Sequence, residues 1–166
     1  QDSKVRDREM KKLTISFLLI FTLIVTGCST TSQFAVQSPD KTIAVNVYST
    51  ISDSNNQLFC TVKSDGIDII SPVSFGLEFK DMKPFRYGFN ILNKQYKYVD
   101  ENWQRVWGRG KNVRNHYNEL ILSLEEKKLP KRKIDLYFRV YDDGFAFRYK
   151  IPEQDYIDEL AITKEL

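Results

Sequence analysis

Hydrophobic and polar residues alternate with the two-residue period of a β-strand along much of the chain between residues 43 and 151. The longest such pattern has an apolar side chain at every second position from residue 134 to residue 140: Ile134, Leu136, Phe138 and Val140. Asp142-Asp143-Gly144 follows it and predicts a tight turn with positive φ. The alternation then resumes from Phe145 to Ile151, so this part of the chain is predicted to be a β-hairpin.

Shorter segments of the same kind predict further strands upstream of this hairpin. They cover residues 43–48, 58–63, 67–70, 75–79, 96–99 and 117–124. Asp65-Gly66 is typical of a two-residue hairpin turn, so the second and third segments are predicted to pair. No helical periodicity longer than two turns occurs between Gln33 and Leu166. The pattern therefore predicts an all-β fold in which short strands form a sandwich or a barrel.

The first 28 residues have a different pattern, in which apolar residues are continuous. Two lysines precede the apolar run Leu13–Val25, which is shorter than the roughly 20 residues of a membrane-spanning helix. Val25-Thr26-Gly27-Cys28 resembles a bacterial lipobox. We expect an upstream extension at residues 1–9, a lipoprotein signal peptide at residues 10–27 and lipid attachment at Cys28. A buried helix or a permanent membrane anchor is the alternative.

The expected mature chain begins at Cys28 and belongs to the cell envelope. Residues 28–37 are expected to form a tether, because serine and threonine dominate its first part, and residues 38–166 to form the folded domain. Two acyl chains hold a protein on a membrane where one chain is marginal. Ser29 rather than an aspartate follows the cysteine. This favours an exported protein that is lipid-anchored at the outer membrane or faces the periplasm.

The net charge of the chain resides mostly in this leader. Residues 1–27 contribute a net charge of +2 to the chain's total of +3, so the expected mature domain carries +1. A nearly neutral domain has no long-range field that would gather nucleic acid. The basic run Lys127–Lys133 contains Pro130 and lacks interleaved aromatic residues. It is predicted to be a solvated loop between two strands, and no nucleic-acid partner is expected.

Residues that usually carry catalysis or bind metal ions are sparse. Because Cys28 is expected to carry the lipid, Cys60 is the one remaining cysteine and no intramolecular disulfide is expected. Its β-like segment predicts a buried small hydrophobe rather than a reactive thiol. His116 is the sole histidine, which excludes a multi-histidine metal site. The predicted turn explains Asp142 and Asp143 better than acid–base chemistry does. No catalytic residue, metal site or cofactor is therefore assigned to this chain.

Amphipathic side chains cluster between residues 103 and 119. Indole rings stack on sugar rings, and amides, carboxylates and imidazoles bind hydroxyl groups, so a carbohydrate-facing loop is one interpretation of this cluster. Its candidate residues are Trp103, Trp107, His116, Tyr117, Asn118 and Glu119. Core packing around a structured turn is the other interpretation.

Five short motifs occur in order from residue 38 onward. They are Ser38-Pro39-Asp40, Ser74-Phe75-Gly76-Leu77-Glu78, Trp107-Gly108, Asn115-His116-Tyr117-Asn118-Glu119-Leu120 and the segment from Phe138 to Tyr149. Together they resemble the N-terminal region of family-97 glycoside hydrolases, the α-glucosidase and α-galactosidase family of Bacteroidetes. The resemblance runs from about Ser38 to Leu166. Arg109 departs from the family pattern, in which an acidic residue follows the Trp-Gly pair.

This resemblance implies an antiparallel β-supersandwich, similar to galactose-mutarotase-like folds, followed by a catalytic (β/α)8 barrel and a small C-terminal β domain. In the family, the acid and base carboxylates lie on the barrel, and calcium at the sugar site is held mostly by barrel glutamates. The chain is expected to stop before the barrel. The resemblance therefore transfers no catalytic or calcium-binding residue to it and implies a sandwich that is incomplete at the C-terminus.

We therefore expect the non-catalytic sandwich portion of an exported α-glycosidase, inactive by itself. The full-length form would hydrolyse α-glucosides or α-galactosides and would need calcium. The expected partners are an oligosaccharide, the missing barrel and the membrane through the lipid anchor. The alternatives are a stand-alone carbohydrate-binding lipoprotein and an inactive remnant.

Overall fold

The computed structural model describes residues 33–50, 56–106, 112–155, 157 and 159–166. Within these ranges the chain forms β-strands and no helix, so no described segment is a helix able to cross a membrane. The strands are β1 (Gln33–Gln37), β2 (Ile43–Ser49), β3 (Leu58–Ser64), β4 (Ile67–Ser74), β5 (Leu77–Phe79), β6 (Phe89–Gln104), β7 (Asn112–Glu126), β8 (Lys133–Tyr141), β9 (Gly144–Lys150) and β10 (Ile162–Glu165). The predicted all-β class is confirmed.

Strands β1 to β4 form the first antiparallel sheet, in chain order. Its pleat follows the sequence pattern, because apolar residues occupy alternate positions of β2 and β3 and so lie on one side. Val45 of β2 lies opposite Val62 of β3, and both side chains are fully buried. Asp65-Gly66 connects β3 to β4 with φ angles of 49° and 79°, which confirms the predicted hairpin turn.

Strands β6 to β9 form the second antiparallel sheet, also in chain order. At its centre Leu120 of β7 lies opposite Phe138 of β8, and both are fully buried. Strand β6 pairs with β7 along its whole length, from residue 89 to residue 104. The β8–β9 hairpin confirms the strongest prediction from the alternating pattern.

The two sheets pack face to face around one hydrophobic core. Its most deeply buried members come from both sheets and include Val45, Val47, Val62, Leu120, Leu122, Phe138 and Val140. Burial of each such side chain contributes roughly 1.5–3 kcal/mol relative to exposure. The ring of Phe75 contacts that of Phe138 edge to face, with centroids 5.4 Å apart. The architecture is the expected antiparallel β-sandwich.

Strands β5 and β10 form a separate two-stranded antiparallel sheet next to the core. Gly76, directly before β5, permits this arrangement, because a Cβ there would lie 3.1 Å from Cδ1 of Leu166 and 3.3 Å from the carbonyl oxygen of Phe85. The backbone N–H of Gly76 donates a hydrogen bond to the hydroxyl of Tyr149 at 3.1 Å. Burial of this hydroxyl raises the pKa of Tyr149 to about 12.

The structure differs from the predicted strand pattern at three places. Residues 33–37, which the sequence assigns to the tether, form β1 and pair with β2. Strands β6 and β7 extend well beyond the predicted segments 96–99 and 117–124. Asp142-Asp143 turns the chain between β8 and β9 with no positive φ at either residue, so the predicted left-handed conformation is wrong.

The basic run between β7 and β8 is a loop, as predicted, but it is not solvated throughout. Arg132 is only 5% exposed. Its guanidinium donates hydrogen bonds to both carboxylate oxygens of Glu126, at 2.7 and 2.6 Å, and to the carbonyl oxygen of Lys83 at 2.7 Å. The guanidinium carbon also lies 5.6 Å from the ring centroid of Phe85. Arg132 therefore fastens this loop to the segment that precedes β6.

Cys60 lies in β3 and is only 3% exposed, which confirms the prediction of a buried small hydrophobe. Burial raises the pKa of its thiol to about 11, so the reactive thiolate is disfavoured. The predicted signal peptide and Cys28 lie outside the described residues, as does Trp107.

Candidate functional site

The candidate carbohydrate-facing residues that the structure describes lie on two neighbouring strands. Trp103 is near the end of β6, opposite Val113, and is half exposed. The other four occupy consecutive positions of β7, from His116 to Glu119. Because successive side chains of a strand point to opposite faces, they cannot form one surface. His116 and Asn118 share a face with the core leucines, whereas Tyr117 and Glu119 are on the outer face.

On the outer face, Tyr117 and Glu119 are part of a closed cluster of side chains. Glu119 is 2% exposed and accepts a hydrogen bond from Nε of Arg139 at 2.6 Å. Nζ of Lys97 lies 3.9 Å from its second oxygen. The guanidinium of Arg139 lies over the ring of Tyr117, 4.7 Å from the centroid, and the ring of Tyr141 is 5.1 Å away. These contacts leave Tyr117 only 5% exposed, so the cluster presents little surface to a sugar.

The pKa directions in this cluster agree with its geometry. The hydrogen bond to Glu119 raises the pKa of Arg139, since the carboxylate stabilises the charged guanidinium. Burial raises the pKa of Tyr117 by disfavouring its phenolate. The cluster therefore consists of the Arg139–Glu119 ion pair and the neutral phenol of Tyr117. These groups stabilise the packing of the outer face and are not arranged for acid–base catalysis.

On the inner face, His116 connects two side chains from distant parts of the sequence. Its Nδ1 lies 3.3 Å from Oδ2 of Asp142, in the β8–β9 turn. Its Nε2 lies 3.2 Å from the hydroxyl of Tyr98 on β6, whose ring meets the imidazole edge to face at 5.6 Å. The three groups form a continuous row of polar contacts along the end of the second sheet.

Asp40 extends this row to the first sheet. Its backbone N–H donates to Oδ1 of Asp142 at 2.9 Å. Its own carboxylate accepts hydrogen bonds from the hydroxyl of Ser38 at 2.5 Å and from the backbone and hydroxyl of Thr42 at 3.0 and 2.8 Å. These bonds, led by that from Ser38, hold the pKa of Asp40 below its usual range. The Ser-Pro-Asp motif thus shapes the β1–β2 turn.

A second charged pair lies next to the row. Arg114 donates to both oxygens of Asp100, at 2.8 and 2.7 Å. This contact lowers the pKa of Asp100 and raises that of Arg114. The hydroxyl of Tyr98 lies 3.5 Å from the same carboxylate. Asp100 and His116 therefore flank the phenol from two directions.

An open groove of about 490 Å³ lies between β1 and the inner face of β6. Tyr96 and Tyr98 line one side of it, residues 35–37 line the other, and Lys97 and Glu119 also contribute to its lining. Asn118 lies between them and donates from Nδ2 to the carbonyl oxygen of Gln37 at 2.8 Å. The two tyrosines were not among the carbohydrate-facing residues predicted from the sequence, although their spacing of two residues on one strand already predicts a common face.

No group of three or more His, Cys, Asp or Glu side chains comes together within the described ranges in a way that could hold a metal ion. Every charged group of the row described above has an opposite charge or a hydrogen-bond donor beside it. The row could bind and orient a ligand. Among the described residues it provides no two unengaged carboxylates that could flank a glycosidic bond for hydrolysis.

Comparison with known proteins places residues 36–166 in the family model described as "Glycosyl-hydrolase 97 N-terminal". Over 140 residues the chain is 29% identical to a protein named "Retaining alpha-galactosidase" from Bacteroides thetaiotaomicron. That alignment covers 84% of this chain and 19% of the relative.

Solved structures give the same picture. A variant of a glycoside hydrolase family 97 enzyme from Pseudoalteromonas sp. strain K8, in complex with panose, matches with a TM-score of 0.71 and 28% identity, as does the enzyme in complex with acarbose. Each match covers 80% of this chain and 20% of the other. A beta-arabinopyranosidase matches at 22% identity with a TM-score of 0.68 and supports the fold alone. The chain thus spans about a fifth of the length of the relatives it matches.

Proposed function

Because the chain belongs to glycoside hydrolase family 97 and carries the N-terminal domain of that family over residues 36–166, we propose that it is the non-catalytic sandwich portion of an α-glycosidase. The family match carries this proposal. The full-length protein would hydrolyse α-glucosides or α-galactosides on a separate catalytic barrel. The name of the Bacteroides relative and the panose and acarbose complexes of the Pseudoalteromonas enzyme support that substrate class.

The division of labour between sandwich and barrel can be tested with two proteins. One is the 166-residue chain, and the other is the product of the whole open reading frame. We expect the longer protein to release p-nitrophenol from p-nitrophenyl α-glucoside or α-galactoside and the chain to release none. Hydrolysis by the chain itself would overturn the non-catalytic role, and a longer protein inactive on both substrates would overturn the substrate class.

Calcium belongs to the same proposal for the full-length protein. The described residues do not fit a calcium site, because they bring no three acidic, histidine or cysteine side chains together. We therefore assign no calcium-dependent role to the residues of this chain. Calcium added to the chain is expected to leave its unfolding temperature unchanged, whereas the full-length protein is expected to gain stability from it.

We also propose export and lipid attachment at Cys28, supported by the lipobox that ends the apolar run. The protein would be held at the outer membrane or face the periplasm. Cells that express the chain should incorporate labelled palmitate into it, and Cys28→Ser should abolish the label. Cys60→Ser is the matched control, because this thiol is buried in β3 and should not affect the label. Equal labelling of the Cys28→Ser variant would contradict the proposal.

A direct role of the domain in binding oligosaccharide is the finer part of the proposal. Among the sequence candidates, Trp103 is the exposed aromatic residue on the described part of β6, and Arg105 lies 5.9 Å from its ring centroid. Tyr117 and Glu119 are occupied by the outer cluster. His116 and Asn118 would act through the groove beside β1 rather than through a loop around the tryptophans.

A further inference from the structure

Tyr96 and Tyr98 present two exposed aromatic rings on one face of β6. They are 52% and 63% exposed, although they point to the same side of the sheet as the core residues of β7. The reason is that β1, the edge strand of the first sheet, packs against β7 and β8, so the inner face of β6 beside it is left uncovered. Positions two apart on a strand are about 6.6 Å apart, so the rings form a short aromatic track.

Contacts to its neighbours hold Tyr98 in place. Its hydroxyl lies 3.2 Å from Nε2 of His116 and 3.5 Å from Oδ2 of Asp100. His116 is in turn held by Asp142, and Asp100 by Arg114. An exposed ring on a rigid strand with both sides of its hydroxyl engaged loses little conformational freedom when a ligand stacks on it.

The carboxylates around the groove are all engaged within the protein. Glu119 lies beside Lys97 and Arg139, and Asp100 is bound by Arg114. Asp142 accepts a hydrogen bond from the backbone of Asp40 and lies beside His116. A groove with paired charges has no strong attraction for a phosphate, a nucleotide or an acidic polymer. Aromatic faces and a side-chain amide are instead the groups that recognise an uncharged ligand with many hydroxyls.

We propose that the groove between β1 and β6 binds a neutral oligosaccharide, with Tyr96 and Tyr98 as stacking surfaces and Asn118 as a hydrogen-bonding partner. The Nδ2 group of Asn118 is bound to the carbonyl oxygen of Gln37, which orients Oδ1 as an acceptor for a sugar hydroxyl. The class of ligand rests on the proposed glycosidase function. The groove would hold a glycan, and it performs no chemistry.

A peptide strand added to the free edge of β1 is the competing occupant. The edge has only five residues, and the carbonyl oxygen of Gln37 at its end already accepts the hydrogen bond from Asn118. Strand addition depends on a row of available backbone groups. The observations therefore favour a sugar.

The test is a titration of the 166-residue chain with panose and maltotriose, in which binding is monitored through the NMR chemical shifts of the backbone amides. The titration extends to about 20 mM, which covers dissociation constants in the millimolar range. Saturable shifts are expected for residues 35–37, 96–98 and 118. Tyr96→Ala and Tyr98→Ala should each weaken binding by about 3- to 10-fold, the range expected when a ring contact is lost.

A control variant locates the site. Tyr87→Ala removes an exposed ring from the loop that precedes β6 and should bind with unchanged affinity. Absence of saturable shifts would overturn the proposal, as would unchanged affinity in both groove variants. A loss of binding in Tyr87→Ala as large as in the groove variants would also overturn it. Displacement of panose by an unrelated extended peptide would assign the groove to strand addition.

This result is independent of the glycosidase assay. If the full-length protein hydrolyses α-glycosides but the chain binds neither sugar, the groove proposal fails and the proposed function stands. If the full-length protein is inactive but the tyrosine variants lose sugar binding, the proposed function fails and the groove remains a sugar site.

Discussion

The backbone N–H of Asp40 donates a hydrogen bond to the side chain of Asp142 at 2.9 Å, across a sequence separation of 102 residues. Asp40 lies in the turn between β1 and β2, and Asp142 lies in the turn between β8 and β9. The other oxygen of Asp142 is 3.3 Å from His116. The carboxylate of Asp142 thus connects the β1–β2 turn of the first sheet to the second sheet at this end of the sandwich.

Removal of this carboxylate should destabilise the domain. Asp142→Ala is expected to lower the free energy of unfolding by about 1 kcal/mol, the typical net value of a hydrogen bond in a partly exposed position. Urea denaturation followed by tyrosine and tryptophan fluorescence measures the change.

The neighbouring aspartate offers a matched control. Asp143 occupies the same turn and is exposed. Asp143→Ala should change the free energy of unfolding by less than about 0.5 kcal/mol, as surface substitutions usually do. An equal loss in both variants would mean that the turn itself, and not the link to Asp40, is responsible.

The outer cluster around Glu119 should be more sensitive to substitution. Glu119 is only 2% exposed and accepts a hydrogen bond from the guanidinium of Arg139. Glu119→Ala removes this carboxylate and leaves the guanidinium without its partner. Because the arginine side chain is itself 37% exposed, we expect a loss of about 2 kcal/mol, less than for a fully buried pair. Denaturant midpoints of the single variant and of the double variant with Arg139→Met measure it.

Glu125→Ala is the matched control for this cluster. Glu125 lies on β7, on the same face as Glu119, but near the other end of the strand and partly exposed. Its substitution should leave the unfolding midpoint nearly unchanged. The Glu119 and Arg139 substitutions should be less than additive, and strict additivity would rule out a direct interaction between the two side chains.

The strand that the sequence predicted best, β8, has an apolar residue at every inward position. Its alternation is unbroken because these side chains lie over the core, with Phe138 and Val140 fully buried. Strand β1 has only two large apolar residues, Phe34 and Val36, and it follows a serine- and threonine-rich segment. Its pairing depends on β2 and on the turn formed by Asp40, so the local pattern could not reveal it.

The candidate site shows the same limit. Four adjacent residues of β7 appeared to form one cluster in the sequence, but strand alternation separates His116 and Asn118 from Tyr117 and Glu119. Strand β6 is exposed along most of its length, so its extent is not visible as a hydrophobic pattern. The proximity of Tyr98 to Asp142 depends on the pairing of β6 with β7 and on the position of a remote turn.

Arg132 should be indispensable for the loop between β7 and β8. Arg132→Met keeps the apolar part of the side chain but leaves the carboxylate of Glu126 buried without its partner, so we expect a loss of about 3 kcal/mol in the free energy of unfolding. Arg132→Lys should recover only part of this loss, since one ammonium cannot replace a two-pronged guanidinium.

Lys131 provides the control for this substitution. It is exposed and directly precedes Arg132. Lys131→Met also removes one positive charge from this loop, but it should lower the free energy of unfolding only slightly. Similar losses for the two methionine variants would show that the net charge of the loop, rather than the buried contact, determines its stability.

The buried hydroxyl of Tyr149 should make the stability of the domain depend on alkaline pH. Burial raises its pKa from the ordinary value of 10.0 to about 12. The unfolded chain therefore loses the phenolic proton first, and the free energy of unfolding falls as the pH rises from 10 towards 12. The contribution is complete below pH 10 and amounts to about 3 kcal/mol at most. Tyr149→Phe abolishes this component and also leaves the N–H of Gly76 without its acceptor, which should cost about 1–2 kcal/mol at neutral pH.

Urea denaturation at about pH 9 and about pH 11 separates these two effects, since only the first depends on pH. The wild-type chain should lose more stability between these values than Tyr149→Phe, whose own deficit should therefore shrink at the higher pH. Tyr87→Phe serves as the control, because this phenol is 46% exposed and its removal should leave the alkaline slope unchanged. A Tyr149→Phe variant with the wild-type slope would show that its hydroxyl is as accessible to water in the folded domain as in the unfolded chain.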